Sequence, residues 1–168
     1  MKLRLLTEML TGLAIALSTT ATINYPSYAQ QTTFFCGTSR GAPATIARTT
    51  RGNIPIIRWI STNFPPPATP QQRCQEVSRR FQVFHDNGTL KYITTGTIND
   101  QSVICVASRQ GGDCTDVLFT LKPGSNPKRT LLRLLDRRGL AGGNTLDEGG
   151  TKRIYVDVAD YLGRIPLD

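Results

Sequence analysis

"TLKYITTGTINDQSVICVASRQGGDCTDVLFTLKPG" (residues 89–124) decides the architecture. Three runs within it, 89–96, 101–108 and 116–123, are rich in β-branched and aromatic residues. "TIND" and "RQGGD" separate them, and Pro123-Gly124 stops the last. Short apolar runs bounded by turn residues read as strands, and strands joined by so few residues pair antiparallel.

On the N-terminal side, "PQQRCQEVSRRFQVF" (70–84) carries Cys74, Val77, Phe81 and Phe84 at helical spacing. Thr69 caps its start before Pro70, and "HDNG" (85–88) ends it with turn residues. "NFPPPATP" (63–70) is a proline spacer that fits neither a ladder nor a helix interior. Further upstream, "QTTFFC" (31–36) and "PATIARTTRGNIPIIRWIS" (43–61) are strand-like, with Arg51-Gly52-Asn53 as a hairpin turn. On the C-terminal side, Asn126 caps a second helix that begins at Pro127. "GLAGGNTLDEGG" (139–150) reads as a loop, and "RIYVDVADYL" (153–162) as a strand, a short helix, or one after the other. The order β-β-β-α-β-β-β-α plus a tail predicts an α+β fold, mainly antiparallel sheet with two amphipathic helices.

Residues 1–29 read as a cleaved signal peptide. Lys2 and Arg4 precede a short apolar run, Leu10 to Leu17, and Ser27-Tyr28-Ala29 places small residues where a signal peptidase cuts. The run falls short of the roughly 20 residues that span a bilayer. Residues 30–168 are then a single α+β domain in an exported chain, placed in a periplasm or a thylakoid lumen or at a membrane surface. Export gives meaning to Cys36, Cys74, Cys105 and Cys114, because an even count in an oxidising compartment reads as two disulfides. Three pairings are open; the short loop favours Cys105–Cys114, with Cys36–Cys74 as the remainder. No C-x2-C spacing occurs and His85 is the one histidine, so no metal site and no cofactor is predicted.

Cleavage after Ala29 leaves eighteen Lys/Arg against eleven Asp/Glu, a net +7. Fourteen of those bases are arginines, suited to bidentate contact with carboxylate or phosphate. The expected partners are an anionic membrane surface or an acidic protein or polysaccharide; the charge would also suit nucleic acid, but the exported compartment argues against it. The second helix, "NPKRTLLRLLDRRGL" (126–140), concentrates this charge. Leu131, Leu132, Leu134 and Leu135 form one side. Arg129, Arg133 and Arg137, spaced by four, form a stripe on the other, with Lys128 and Arg138 beside it. These five bases are the predicted anionic-surface site, which Arg79 and Arg80 of the first helix would extend.

No catalytic residue is predicted. Gly37-Thr38-Ser39-Arg40-Gly41 matches the nucleophile-elbow pattern, but the elbow requires a strand before and a helix after the serine, and "APATIARTT" favours a second strand. Glu76, the acid between Ser39 and His85, shares a helix with that histidine nine residues away. His85 and Asp86 at a helix end point in different directions, and a histidine there complements the dipole. Asn87-Gly88-Thr89 matches a glycosylation acceptor and equally a turn. "GGNTLDEGGTK" lacks the phosphate-loop spacing, and adjacent Asp147 and Glu148 form no calcium cage. A secreted hydrolase acting on envelope material would need facing acids from Asp113, Asp116, Asp147 and Glu148. A protein-binding or inhibitor module would use "SRQGGD" (108–113).

"PATIARTTRGNIPIIRW", "TPQQRCQEVSRRF", "LKYITTGTINDQSVICVA" and "CTDVLFTLKP" together resemble the cyanobacterial circadian oscillating polypeptide family, over roughly residues 34–138. Arg58-Trp59, Arg73-Cys74 and "VICVA" (103–107) are the most diagnostic parts. The resemblance implies an exported protein, peripheral on membranes, whose abundance follows a daily rhythm. It implies no defined catalytic activity.

Overall fold

The computed structural model describes residues 32–62, 68–135 and 153–165. Its first sheet is a meander of β1 (Thr33–Ser39), β2 (Ala42–Thr49) and β3 (Gly52–Arg58), antiparallel in that order. Arg40 and Gly41 turn the first hairpin with φ of 49° and 74°, the backbone that a two-residue connection between twisted strands needs. The second turn is Thr50-Arg51, so Gly52 opens β3 and the hairpin sits slightly earlier than Arg51-Gly52-Asn53 suggested. Pro55 has no N–H to donate and lies in β3, an edge strand, as its chemistry requires.

α1 (Pro70–Asp86) starts with a reciprocal cap: Thr69 accepts from the Gln72 N–H, and the Gln72 side chain accepts from the Thr69 N–H. It ends in a left-handed glycine, with Gly88 N–H bonded to His85 O and Thr89 N–H to Phe84 O. Its buried side, Cys74, Val77, Ser78 and Phe81, lies on β1 and β2. Cys36 of β1 bonds Cys74, joining strand to helix. Ser78 donates to Thr45 Oγ1 at 2.9 Å and the Trp59 indole donates to the same oxygen at 3.1 Å, which satisfies three buried polar groups together.

α1 also reaches two strand edges with side chains. Gln82 Oε1 accepts the Phe34 N–H of β1 at 2.6 Å. Arg80 donates to Leu118 O at 2.9 Å and Val117 O at 3.4 Å in β6 (Asp116–Thr120).

β6 begins the second sheet, ordered β6-β5-β4-β7, all antiparallel, with β4 at Tyr92–Ile98, β5 at Gln101–Ala107 and β7 at Val156–Asp157. The strands therefore divide between two sheets, and the α+β, mainly antiparallel character read from the sequence holds. The 153–162 segment resolves as strand then helix: β7 leads directly into α3 (Val158–Arg164), capped by Asp157 on the Asp160 N–H. Between β6 and β7 in the chain, α2 (Pro127–Leu134) lies on β4 and β5 and touches β3. Phe81, Trp59, Ile54, Ile104, Leu118 and Leu131 belong to one core that draws on both sheets, α1 and α2. Cys105–Cys114 is the second disulfide, so both favoured pairings are present.

Candidate functional site

α2 exists because Asn126 accepts the Arg129 N–H at 2.9 Å, Pro127 fits the first turn, and leucines supply a buried side. Leu131 is buried, with Leu132 and Leu134 packed partly against the core. Arg129 and Arg133, one turn apart and about 6 Å along the axis, are exposed, and Lys128 is half-buried. None of these three makes an ion pair among the described residues. The helix stops at Leu134, with Leu135 extended and buried, so the periodic stripe read over 129–137 does not run on along α2. Arg137 and Arg138 lie outside the described residues.

Arg79 and Arg80 do not extend this face as free cations. Arg79 forms a fork on Glu76 at 3.0 and 3.1 Å, and Arg80 Nε reaches the same carboxylate at 2.9 Å. These contacts, the Arg79 hydrogen bond first, hold Glu76 below the usual carboxylate range. The Glu76 carboxylate is committed to two guanidinium groups and is not free to serve Ser39.

Other arginines are also committed to the fold. Arg48 lies over the Phe35 ring and Arg73 over Trp59, at 4.8 and 4.6 Å from the centroids. Burial lowers the Arg73 pKa from its ordinary value. Arg58 donates to Ser39 O and Arg40 O in the first hairpin. Arg51, in the turn before β3, donates to Leu162 O, Gly163 O and Ile165 O at 2.5–2.9 Å, satisfying carbonyls that α3 leaves open at its end. Arg153 pairs with Asp113 at 3.2 Å and Arg164 with Asp160 at 2.6 Å.

Ser39 pairs with Ala42 across the hairpin and is followed by β2, not by a helix, so the elbow geometry fails. The His85 ring stands edge-on to Phe34 at 5.5 Å. Phe34 lies five positions before Ser39 on β1, roughly 17 Å away along an extended strand. Asn87-Gly88-Thr89 forms the α1 terminus described above. Asp113 is 98% exposed and paired with Arg153, while Asp147 and Glu148 lie outside the described residues. No cluster of three metal-ligating side chains occurs among the described residues. The loop "SRQGGD" is closed by Cys105–Cys114, and Tyr155 donates to its Gly112 O at 2.6 Å.

Two contacts escaped the sequence reading for different reasons. Arg51 and its acceptors are more than a hundred residues apart, and no local pattern announces them. The Glu76, Arg79, Arg80 spacing, by contrast, is the ordinary i, i+3, i+4 signal for helical ion pairs.

No curated protein and no solved structure matches the chain. The profile described as circadian oscillating protein COP23 matches residues 33–163. That span reaches past residue 138 through β7 and nearly all of α3, and it contains both disulfides. The resemblance drawn from the central motifs thus extends into the tail, and the chain belongs to the circadian oscillating protein COP23 family.

Proposed function

We propose that this is a non-enzymatic, exported protein of the cyanobacterial cell envelope that docks peripherally on an anionic membrane surface through the basic side of α2, with an abundance that follows the daily cycle. The observation that carries the docking is the charge of Lys128, Arg129 and Arg133, unpaired with any carboxylate among the described residues, on a helix whose other side is packed in the core. Arg48, Arg51, Arg58, Arg73, Arg79, Arg80, Arg153 and Arg164 are occupied by carboxylates, carbonyls or rings, whereas Arg129 and Arg133 are exposed one turn apart on a single helix. The signal-like residues 1–29 motivate export, and two disulfides suit an oxidising compartment. Among the described residues no helix is long and apolar enough to cross a membrane. Each base near an anionic surface contributes about 1 kcal/mol, screened over about 10 Å at 0.1 M salt.

The test is flotation of the mature chain with vesicles of anionic and of neutral lipid, at low and high salt. The reading requires binding to the anionic vesicles alone, lost at high salt, and about thirtyfold weaker when Arg129 and Arg133 are both changed to alanine. Equal binding to both vesicle types, or to neither, defeats the lipid surface. Retention on an acidic protein or polysaccharide without vesicle binding moves the same site to that partner.

A further inference from the structure

Thr94 and Cys105 are register partners on β4 and β5, so their side chains share one face of the second sheet. The connection from β5 to β6 folds back over this face. Cys105, fully buried, bonds Cys114 nine residues on. Gly96, two positions after Thr94 on β4, leaves the space that the Cys114 sulfur occupies, and a Cβ there would land on Sγ. The same connection holds the chain leading into β7. Tyr155 donates to Gly112 O at 2.6 Å, and Arg153 reaches Asp113 at 3.2 Å. Beside them, Thr94 donates to Ile154 O at 2.6 Å. The disulfide-closed loop and residues 153–155 are thus fastened to one another.

The two disulfides differ in what holds their sulfurs once the bond is cut. Cys36 lies in β1 and Cys74 in α1, so both thiols stay in regular elements at high effective concentration. Cys114 lies outside β5 and β6, in the connecting loop, and like Cys36 it is partly exposed. A lower effective concentration makes a disulfide easier to reduce.

We propose that Cys105–Cys114 is a redox clasp, which a dithiol reductant opens first, freeing the 108–114 loop and loosening residues 153–158 while α1 and the first sheet stay folded. One thiolate of the reductant attacks Cys114 Sγ; the S–S bond breaks and Cys105 leaves as a thiolate that takes a proton from water. The second thiol of the reductant attacks the mixed disulfide and releases Cys114. Two electrons pass to the protein, which ends as a dithiol, and the reductant ends as a disulfide. The buried Tyr161, Leu162 and Ile165 keep the body of α3 in place, which confines the opening to residues 153–157 and the first residue of α3, Val158.

The experiment titrates the full chain with dithiothreitol, traps free thiols with iodoacetamide and maps them by peptide mass, with amide exchange followed in parallel. Cys105 and Cys114 should be alkylated at concentrations at least tenfold below those needed for Cys36 and Cys74. Exchange at Thr115, whose N–H is bonded to Val106 O, and at Val158, bonded to Lys91 O, should rise at least tenfold with α1 unchanged. Simultaneous reduction, earlier loss of Cys36–Cys74, exchange rising equally in α1, or none at Val158 overturns the proposal. The double variant Cys105→Ala, Cys114→Ala must fold and reproduce the exchange pattern; failure to fold would make the bond a general staple. Tyr155→Phe, with the disulfide intact, should raise exchange over 153–158 severalfold, and no change there refutes the coupling between loop and tail.

Discussion

α1 and α2 both carry arginines within helical reach of one another, and they use them in opposite ways. In α1, Glu76 stands three and four residues before Arg79 and Arg80, and the pair is drawn into contacts with it and with β6. In α2, "PKRTLLRL" contains no acid, and Arg129 and Arg133 are left facing solvent. Among the described residues, one glutamate separates an arginine that fastens a helix from an arginine left exposed to solvent. Counting bases, as the net charge does, cannot tell these apart.

The strongest way to sharpen the contrast is through the buried sides. Phe81→Ala should cost about 3–5 kcal/mol and Leu131→Ala about 2–5 kcal/mol, read from urea unfolding with the disulfides intact. The Cys36–Cys74 bond keeps α1 tethered in the first variant, whereas α2 has no crosslink, so the second should also abolish binding that depends on α2's face. A Leu131→Ala protein that unfolds like the wild type would show that α2 contributes nothing to the core.

The arginines themselves give the next effect. Arg80→Ala removes charge-assisted hydrogen bonds to partly exposed groups and should lower stability by about 1 kcal/mol. Arg129→Ala should shift stability by less than about 0.5 kcal/mol. Paired unfolding curves decide it, and equal losses at the two positions would erase the distinction between the helices.

The smallest effect is titration of Glu76. Its folded pKa is lowered from 4.5, so the unfolded chain binds the proton more readily. The contribution is present above the unfolded pKa and disappears as pH falls through the folded one. With the carboxylate half exposed, solvent screening keeps this small. Glu76→Gln should flatten the acid limb of the stability profile slightly, and an unchanged limb would show that the fork on Arg79 does not tune it.

Local signals were legible wherever the chemistry is local. Thr69 and Pro70, Asn126 and Pro127, and Gly88 all do in the structure what the sequence suggests. The cysteine pairing followed from loop length, and the strand runs from their composition. The separation into two sheets was not legible, because register and sheet membership depend on contacts between distant segments. The β2–β3 turn was misplaced because Gly52 suits either the turn or the first strand position. Of the basic site, the α2 portion could be read from periodicity, but the period does not reveal where a helix stops. There, Leu135 leaves helical geometry while remaining buried, so α2 itself carries the stripe only through Arg133.

The side chains that α1 sends to strand edges have a consequence at the scale of many molecules. An open edge is a template on which another chain can add a strand, and such growth steepens with concentration. Gln82 occupies a donor on β1, Arg80 occupies acceptors on β6, and Pro55 removes a donor from β3. A chain guarded in this way can become crowded without seeding fibrils.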